Sequence, residues 1–180
     1  MNKELLLLCG AVTFATAPFA LSAAEPYNGQ TTNGIYTISS FAQLTNFTTN
    51  IRSYGPLRGS TFILTEDIDC ARQAFTSRDR SRAAYFYGTF DGGGHKIYRF
   101  NNQTWDSEEY QYGGSLFDIL TNGAVIRNLT LDGDVVVSQS NRVAIVGAFA
   151  GSVTKGNAES RPVTFENCHF KGSEIGRAHV

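Results

Sequence analysis

The feature that most constrains this chain is a set of internally similar segments in its second half. Residues 114–123 align with residues 147–156 at an offset of 33, and residues 126–133 align with residues 165–172 at an offset of 39. The change of six residues places an insertion within residues 157–162. Apolar positions meet apolar positions and turn glycines meet glycines, which is typical of an architecture built from stacked, equivalent coils.

An earlier segment follows the same pattern. At an offset of 29, three of its positions coincide with three of the next unit: Gly94 with Gly123, Ile97 with Ile126, and Phe100 with Leu129. Each short strand has one apolar face that it cannot bury alone, so stacking successive turns at strand spacing builds a continuous interior. We therefore predict an all-β fold, a right-handed parallel β-helix (solenoid) with a short N-terminal capping helix, whose repeats occupy residues 85–173.

Specific residues are expected to form the corners and to connect one coil to the next. Glycine adopts positive φ without steric cost, and an aspartate before a glycine run caps the turn through backbone hydrogen bonds. Asn128 and Asn167 hold the same place in successive units, which predicts a ladder of amide hydrogen bonds between turns. The predicted turn and ladder residues are Asp91, Gly92, Gly94, Gly123, Asn128, Gly156 and Asn167.

Residues 35–84 precede the repeats and are predicted to form an N-terminal cap region. They contain a short strand, a helix over residues 40–54, a strand over residues 61–70 and a polar loop. Ser40 with Gln43 fits a capping box, and Gly55-Pro56 ends the helical pattern. An open solenoid end exposes strand edges and apolar interior, and this helix is placed to cover one end.

The first 24 residues have the pattern of a secretory signal peptide. Lys3 supplies a positive charge, a long apolar stretch follows it, and Ser-Ala-Ala forms a small-residue cleavage site ending at Ala24. The alternative is an uncleaved membrane anchor, but Pro18 interrupts the stretch, which is only marginally long enough to span a bilayer. We predict cleavage after Ala24, an extended leader over residues 25–34, no transmembrane helix in the mature chain, and a secreted or cell-surface location.

Charge and cysteine content limit the expected partners and disulfides of this chain. The net charge is -1, with 15 Lys and Arg against 16 Asp and Glu, so the chain lacks the basic balance of a nucleic-acid-binding domain. Cys70 and Cys168 remain after signal removal, and export permits a disulfide between them. Because each lies among apolar strand residues, unpaired core cysteines are the favoured reading. Residues 174–180 break the preceding strand pattern and are predicted to be a non-native tail.

These segments resemble the GLUG-repeat class of bacterial surface proteins, which are similar to filamentous haemagglutinins and autotransporter passengers. The resemblance rests on FILTEDIDC, YGTFDGGGHKIYRF, GSLFDILTNGAVIRNLTLDG and VGAFAGSV followed by VTFENCHFKG. It covers residues 35–172 and implies a β-helix, with outer-membrane association if the protein is autotransporter-like. Asp118 departs from the pattern where glycine is expected, and Arg99 departs where the ladder asparagine is expected.

Several polar and aromatic residues are candidates for chemistry or binding. Asp67 and Asp69 share one strand face at the spacing of an acid/base pair or calcium ligands, although solvent-facing positions beside a turn are the favoured explanation. Asp91 and His95 could form a metal site or an acid/base pair, but the glycines between them favour a structural turn. Trp105, Tyr110 and Tyr112 lie in a loop over residues 101–113, which we call the excursion. Their side chains either stack on sugars or pack this loop onto the fold. No cofactor and no metal site are predicted.

The leading hypothesis is an exported bacterial surface or secreted β-helix protein that works by adhesion or binding and is not an enzyme. Its expected partners are host glycans, matrix proteins or other copies of itself, and not nucleic acid. One alternative is a carbohydrate-active β-helix enzyme, a polysaccharide lyase or glycoside hydrolase, whose site lies beyond this sequence. Another is an architectural stalk that displays a downstream domain.

Overall fold

A computed structural model describes residues 31–32, 34–53, 55–75, 84–104, 111–112, 114–137, 144–145, 147–155 and 161–176. Within these ranges the chain is mostly β-strand and has few helices. The elements in chain order are β1 (Thr31–Thr32), β2 (Ile35–Ile38), α1 (Phe41–Ser53), a 3₁₀ helix (Gly55–Gly59), β3 (Thr61–Leu64), β4 (Ile68–Asp69), β5 (Tyr85–Phe86), β6 (Thr89–Asp91), β7 (Lys96–Thr104), β8 (Gln111–Tyr112), β9 (Phe117–Leu120), β10 (Val125–Val137), β11 (Ala144–Ile145), β12 (Ala150–Val153) and β13 (Thr164–Gly176).

The described strands form three sheets, and every pair except β1 with β2 is parallel. The largest sheet has the order β1-β2-β3-β6-β10-β7-β4, with β13 also paired to β10. The second sheet has the order β5-β9-β12, and the third consists of β8 and β11. The long strand β10 pairs with β6 over its first residues and with β7 over the rest, so it continues through a corner.

Strands that lie side by side are far apart in sequence, by 26 to 39 residues along one column. The column pairs Ile35 with Thr61, Thr61 with Thr89, Thr89 with Val125, and Val125 with Thr164. In the later strands, Phe117 lies opposite Ala150 and Ile126 lies opposite Phe165, at the same offsets of 33 and 39 as the internal alignment.

The alignment of the first unit at an offset of 29 is wrong. The structure places Ile126 opposite Phe90 and Ile97 opposite Leu131. Residues 92–95 form the first corner, between Asp91 and Lys96, whereas residues 128–129 form the next corner, between positions 127 and 130. The glycine run makes a corner two residues longer, so the pairing offset is 36 before it and 34 after it, and neither equals 29.

Two predicted boundaries also change. The expected single strand over residues 61–70 is two strands, because the chain bends at residues 65–67 between β3 and β4. Phe62, Leu64, Ile68 and Cys70 are all buried at even positions on either side of the bend, which is why the pattern indicated one strand. Residues 174–176, assigned in the sequence to a tail that breaks the pattern, continue β13 and pair with residues 135–137 of β10.

The helix α1 packs against the apolar side of the sheets. Ser40 Oγ accepts a hydrogen bond from the Gln43 amide at 3.3 Å, and Gln43 Oε1 accepts one from the Ser39 amide at 2.8 Å, so the two side chains cap the first turn. On the inner stripe, Phe47 is fully buried. Its ring contacts four phenylalanines from β3, β6, β9 and β5 at centroid distances of 4.5 to 6.2 Å: Phe62, Phe90, Phe117 and Phe86.

Candidate functional site

Asp67 lies in the bend just before β4 and Asp69 is the last residue of β4, and each contacts a cation on the neighbouring strand β7. Asp67 Oδ1 accepts a hydrogen bond from the Lys96 amide at 3.1 Å and lies 3.2 Å from His95 Nδ1. Lys96 Nζ is 3.7 Å from the other oxygen of Asp67. Partial burial opposes ionisation, but the Lys96 amide, the His95 ring and the Lys96 charge outweigh it and lower the pKa of Asp67.

Asp69 is held in a comparable way. Arg99 donates to both of its carboxylate oxygens, through Nε at 2.9 Å and through a second guanidinium nitrogen, and this pairing lowers the pKa of Asp69. The Ala71 amide also donates to Asp69 Oδ1 at 2.9 Å. Arg99 is the extra residue of a β-bulge opposite Asp132 and adopts a φ of +52°. It is thus a partner of Asp69 and not the missing member of an asparagine ladder.

Asp91 occupies the ladder position that the sequence assigned to Arg99. Its Oδ1 accepts hydrogen bonds from the Gly93 amide at 2.9 Å and from Asn128 Nδ2 at 3.1 Å, and its Oδ2 accepts one from Arg127 Nε at 2.8 Å. Burial opposes ionisation, but the Gly93, Asn128 and Arg127 donors outweigh it and lower the pKa of Asp91. Asp91 therefore caps its own turn and connects it to the next strand.

The hydrogen-bond series continues through the two asparagines. Asn167 Nδ2 donates to Asn128 Oδ1 at 3.2 Å, so Asp91, Asn128 and Asn167 form a line across β6, β10 and β13. Asn128 and Asn167 have φ values of +51° and +50°, a conformation that asparagine tolerates better than most residues. We call these three residues the corner ladder.

The corner glycines have two different roles. A Cβ on Gly92 would lie 2.3 Å from the carbonyl oxygen of Asn128, so only glycine allows the two corners to approach this closely. Gly94 instead has open space around it but a φ of +84°, which disfavours other residues. Gly123 lies in the turn after β9, and Gly156 lies outside the described residues.

This geometry limits what the carboxylates can do chemically. A glycosidase needs one carboxylic acid held protonated by a raised pKa, whereas the pKa values of Asp67, Asp69 and Asp91 are all lowered. His95 contacts Asp67 and not Asp91, so the proposed Asp91–His95 pair is not formed. Among the residues that the structure describes, no three His, Cys, Asp or Glu side chains are grouped to hold a metal ion.

The predicted aromatic candidates lie largely beyond what the structure describes. Trp105 and Tyr110 are outside the described residues, and Tyr112 is placed by its backbone alone, on β8 opposite Ile145. Sequence reasoning missed a second group, Tyr85 and Tyr87, whose side chains are 48% and 43% exposed. Their signal was available, since two tyrosines alternate with a phenylalanine in a short strand.

Tyr85 and Tyr87 form an exposed aromatic pair around the fully buried Phe86. The Tyr87 amide donates to the Arg58 carbonyl at 2.8 Å, and a Cβ on Gly59 would lie 2.5 Å from the Tyr87 ring, so that ring rests on glycine backbone. Tyr85 lies on β5, and Tyr87 follows directly after the end of that strand. Tyr98 differs, because it is half-buried and has Lys96 Nζ 4.8 Å from its ring centroid.

One further carboxylate, Asp118, is a buried structural acceptor. Its Oδ2 accepts a hydrogen bond from the Ala84 amide at 3.0 Å, which connects β9 to the start of the segment leading into β5. The departure from the glycine of the repeat pattern thus supplies a partner for a buried backbone donor.

The two cysteines are free thiols in the described structure. Cys70 is fully buried, and burial raises the pKa of its thiol to about 12. Cys168 is half-buried and donates to the Ile126 carbonyl at 3.4 Å, and burial raises the pKa of this thiol as well. Neither thiol has the lowered pKa of a reactive cysteine.

Comparison with protein-family models, curated proteins and solved structures finds no match to this chain. Within the described ranges, no helix combines the length and apolar character needed to cross a membrane.

Proposed function

We propose that this chain is an exported surface or secreted protein that binds partners through a right-handed parallel β-helix and performs no catalysis. The proposed β-helix is supported by the order in which the chain passes through the sheets. β6 and β7 are followed by β8 and β9, and the same columns are then revisited by β10, β11, β12 and β13. One coil follows another, with α1 as the cap of the first.

The observation that carries the non-enzymatic proposal is that the three candidate carboxylates, Asp67, Asp69 and Asp91, each contact a basic residue. Asp67 contacts the His95 ring and accepts a hydrogen bond from the Lys96 amide, Asp69 accepts hydrogen bonds from Arg99, and Asp91 accepts one from Arg127. Their charges therefore stabilise contacts between coils and are not free to exchange protons with a substrate near neutral pH. This use of charge fits a scaffold better than an active site.

Export and surface location are proposed from residues 1–24, which lie outside the described residues. The GLUG-repeat resemblance supports the same location, because that class is found on bacterial surfaces. Mass spectrometry of the protein recovered after export tests this directly. We expect the exported protein to begin at Glu25. Exported protein that still begins at Met1 would contradict signal cleavage.

Binding is proposed at the exposed aromatic pair, Tyr85 and Tyr87. Tyrosine offers a large, rigid surface at low conformational cost, which makes it a common anchor in recognition surfaces. A host glycan is the expected ligand, because each ring presents an apolar face and a hydroxyl group to solvent. The predicted aromatics of the excursion, Trp105, Tyr110 and Tyr112, form a second candidate surface.

A glycan and matrix-protein array tests the binding proposal. We expect that the double variant Tyr85→Ala/Tyr87→Ala lowers binding by about tenfold or more, as for anchor residues in other interfaces. Tyr98→Ala is the matched control, since that ring is half-buried and flanked by cations, and it should leave binding within about twofold.

Other outcomes contradict specific parts of the proposal. Loss of binding in Trp105→Ala alone would move the site from the exposed aromatic pair to the excursion, and an array without any bound ligand would contradict adhesion. The wild-type protein should release no reducing sugars from polysaccharides. Release that is lost in the Asp67→Asn or Asp69→Asn variant would contradict the absence of catalysis.

A further inference from the structure

The ring of Tyr87 lies on backbone at the corner between β5 and β6. Tyr87 is opposite Gly59 in the column, because its amide donates to the Arg58 carbonyl and Thr89 pairs with Thr61. A Cβ on Gly59 would lie 2.5 Å from the Tyr87 ring, and Tyr87 is still 43% exposed. The ring is therefore supported from below and open to solvent.

The turn after β9 lies on the other side of Tyr87. The Thr121 amide donates to the Phe86 carbonyl at 3.0 Å. The Val125 amide donates to the Gly88 carbonyl, also at 3.0 Å. Because the two acceptors are the residues just before and just after Tyr87, the middle of the turn lies beside Tyr87.

The stem of Arg161 lies over this turn as the Tyr87 ring lies over Gly59. A Cβ on Gly123 would be 2.9 Å from Arg161 Cβ and 3.5 Å from Arg161 Cδ. The ring and the stem thus rest on the two backbone segments that flank Tyr87, which places them about two strand spacings apart, or about 10 Å. This separation is short enough for one sugar unit and its substituent to contact both.

Two basic residues beside the turn have no partner. Arg161 and Lys155 are exposed, and neither forms a hydrogen bond or an ion pair with any residue that the structure describes. Lys155 follows Thr154, whose amide donates to the Leu120 carbonyl at 2.9 Å. Since Leu120 directly precedes the turn, Lys155 lies next to it.

The cations near the corner ladder are used differently, because they pair within the fold. Lys96, Arg99 and Arg127 each form an ion pair with an aspartate. On β9, which leads into the turn, Asp118 is 2% exposed and accepts a hydrogen bond from the Ala84 amide, so its carboxylate is directed into the fold. The positive charge beside Tyr87 therefore faces solvent.

We propose that the ligand of the exposed aromatic pair is a carboxylated sugar, whose ring stacks on Tyr87 and whose carboxylate is bound by Arg161. A guanidinium group presents two parallel N–H donors that match a carboxylate, whereas Lys155 contributes a point charge. This inference rests on the proposed binding at Tyr85 and Tyr87. It adds the chemical class of the sugar, which aromatic stacking by itself does not select.

Matched pairs of sugars test the proposal on the purified chain. The probes are oligogalacturonates and hyaluronan oligosaccharides, each beside its methyl ester, so that the two members of a pair differ in the charge of the carboxyl group. We expect the wild-type protein to bind the acid about tenfold or more tightly than the ester. Arg161→Gln should reduce this ratio to within about twofold and leave the affinity for the ester unchanged, which also shows that the variant is folded. Tyr85→Ala/Tyr87→Ala should weaken binding of both members.

Lys171→Gln is the control for loss of a positive charge, since Lys171 is also exposed and lies on β13 opposite Asp132. It should keep the wild-type preference for the acid. Equal affinity of the wild-type protein for acid and ester overturns this inference and leaves glycan binding at the tyrosines in place. A preference that Arg161→Gln retains overturns it too, and so does tighter binding of sulfated oligosaccharides or acidic peptides. Absence of binding to both members of every pair overturns it together with the proposed glycan binding.

Discussion

At the scale of single residues, corner side chains determine how one strand lies on the next. Asp91 illustrates this, because one carboxylate accepts hydrogen bonds from its own turn, from Arg127 and from Asn128. Asn128 then passes the contact on to Asn167. Since charged hydrogen bonds are stronger than neutral ones, Asp91 is the strongest member of the corner ladder.

The lowered pKa of Asp91 predicts a pH-dependent contribution to stability. A carboxylate whose pKa is lower in the folded state stabilises the fold above its unfolded pKa of about 3.9, and this contribution is lost as pH falls through the folded pKa. We expect Asp91→Asn to lower the free energy of unfolding by about 1 kcal/mol at pH 7 and by less at about pH 3. Urea unfolding at both pH values measures the difference.

The exposed Asp132 on β10 is the control for charge removal as such. Asp132→Asn should change the unfolding free energy by less than about 0.5 kcal/mol at either pH. An effect of Asp91→Asn that is equal at both pH values would mean that its charge plays no part.

At the scale of elements, the helix α1 combines a local start signal with a long-range role. Ser40 and Gln43 determine where it begins, and it ends at Ser53, next to the Gly55-Pro56 pair. Its inner stripe is apolar apart from Thr48, whose hydroxyl donates to the Phe75 carbonyl at 2.7 Å. The helix thus contacts residues that are both before and after the first corner of the repeats.

Truncation of Phe47 should be the most costly change in this element. Phe47→Ala leaves a cavity among four phenylalanines and is expected to lower the unfolding free energy by about 3–5 kcal/mol. Ser40→Ala removes a cap and should cost about 0.5–2 kcal/mol. Chemical denaturation measures the unfolding free energies of both variants. Thr49→Ala, on the exposed side of the helix, is the control. A cost for Phe47→Ala that does not exceed the cost for Ser40→Ala would contradict the packing role.

At the scale of the whole molecule, the strand order keeps apart two cysteines that would otherwise be candidates for a disulfide. Cys70 follows β4 and Cys168 lies on β13, with β7 and β10 between them. Three strand spacings amount to about 14 Å, whereas a disulfide needs Cα atoms within about 7 Å. This separation therefore excludes a disulfide between Cys70 and Cys168 even where export permits one.

Alkylation of the native protein tests this arrangement. Cys70 should remain unmodified by iodoacetamide at pH 8, because it is buried and its pKa is raised to about 12, so almost no thiolate is present. Cys168 should react slowly, and both should react fully in denaturant. Mass spectrometry after proteolysis without reductant provides the check, and a peptide that links Cys70 to Cys168 would contradict the predicted separation.

The sequence by itself determined the elements whose signals are local. Ser40, Gln43 and Gly55-Pro56 predicted the helix to within a residue at each end, and the offsets of 33 and 39 in the alignment are the offsets of strand pairing. Matching apolar positions report burial on one side of a strand, and burial is repeated from one strand to the strand paired with it.

Only the tertiary structure decided the contacts that depend on the length of a corner. The glycine corner after Asp91 is two residues longer than the corner at Asn128, so the offset of strand pairing changes from 36 before it to 34 after it, and the alignment at 29 matched neither. The tertiary structure also placed Asp91 on the corner ladder and brought Asp67 to His95. A pattern of apolar residues records which side of a strand is buried, but it does not count how many residues the chain uses to turn.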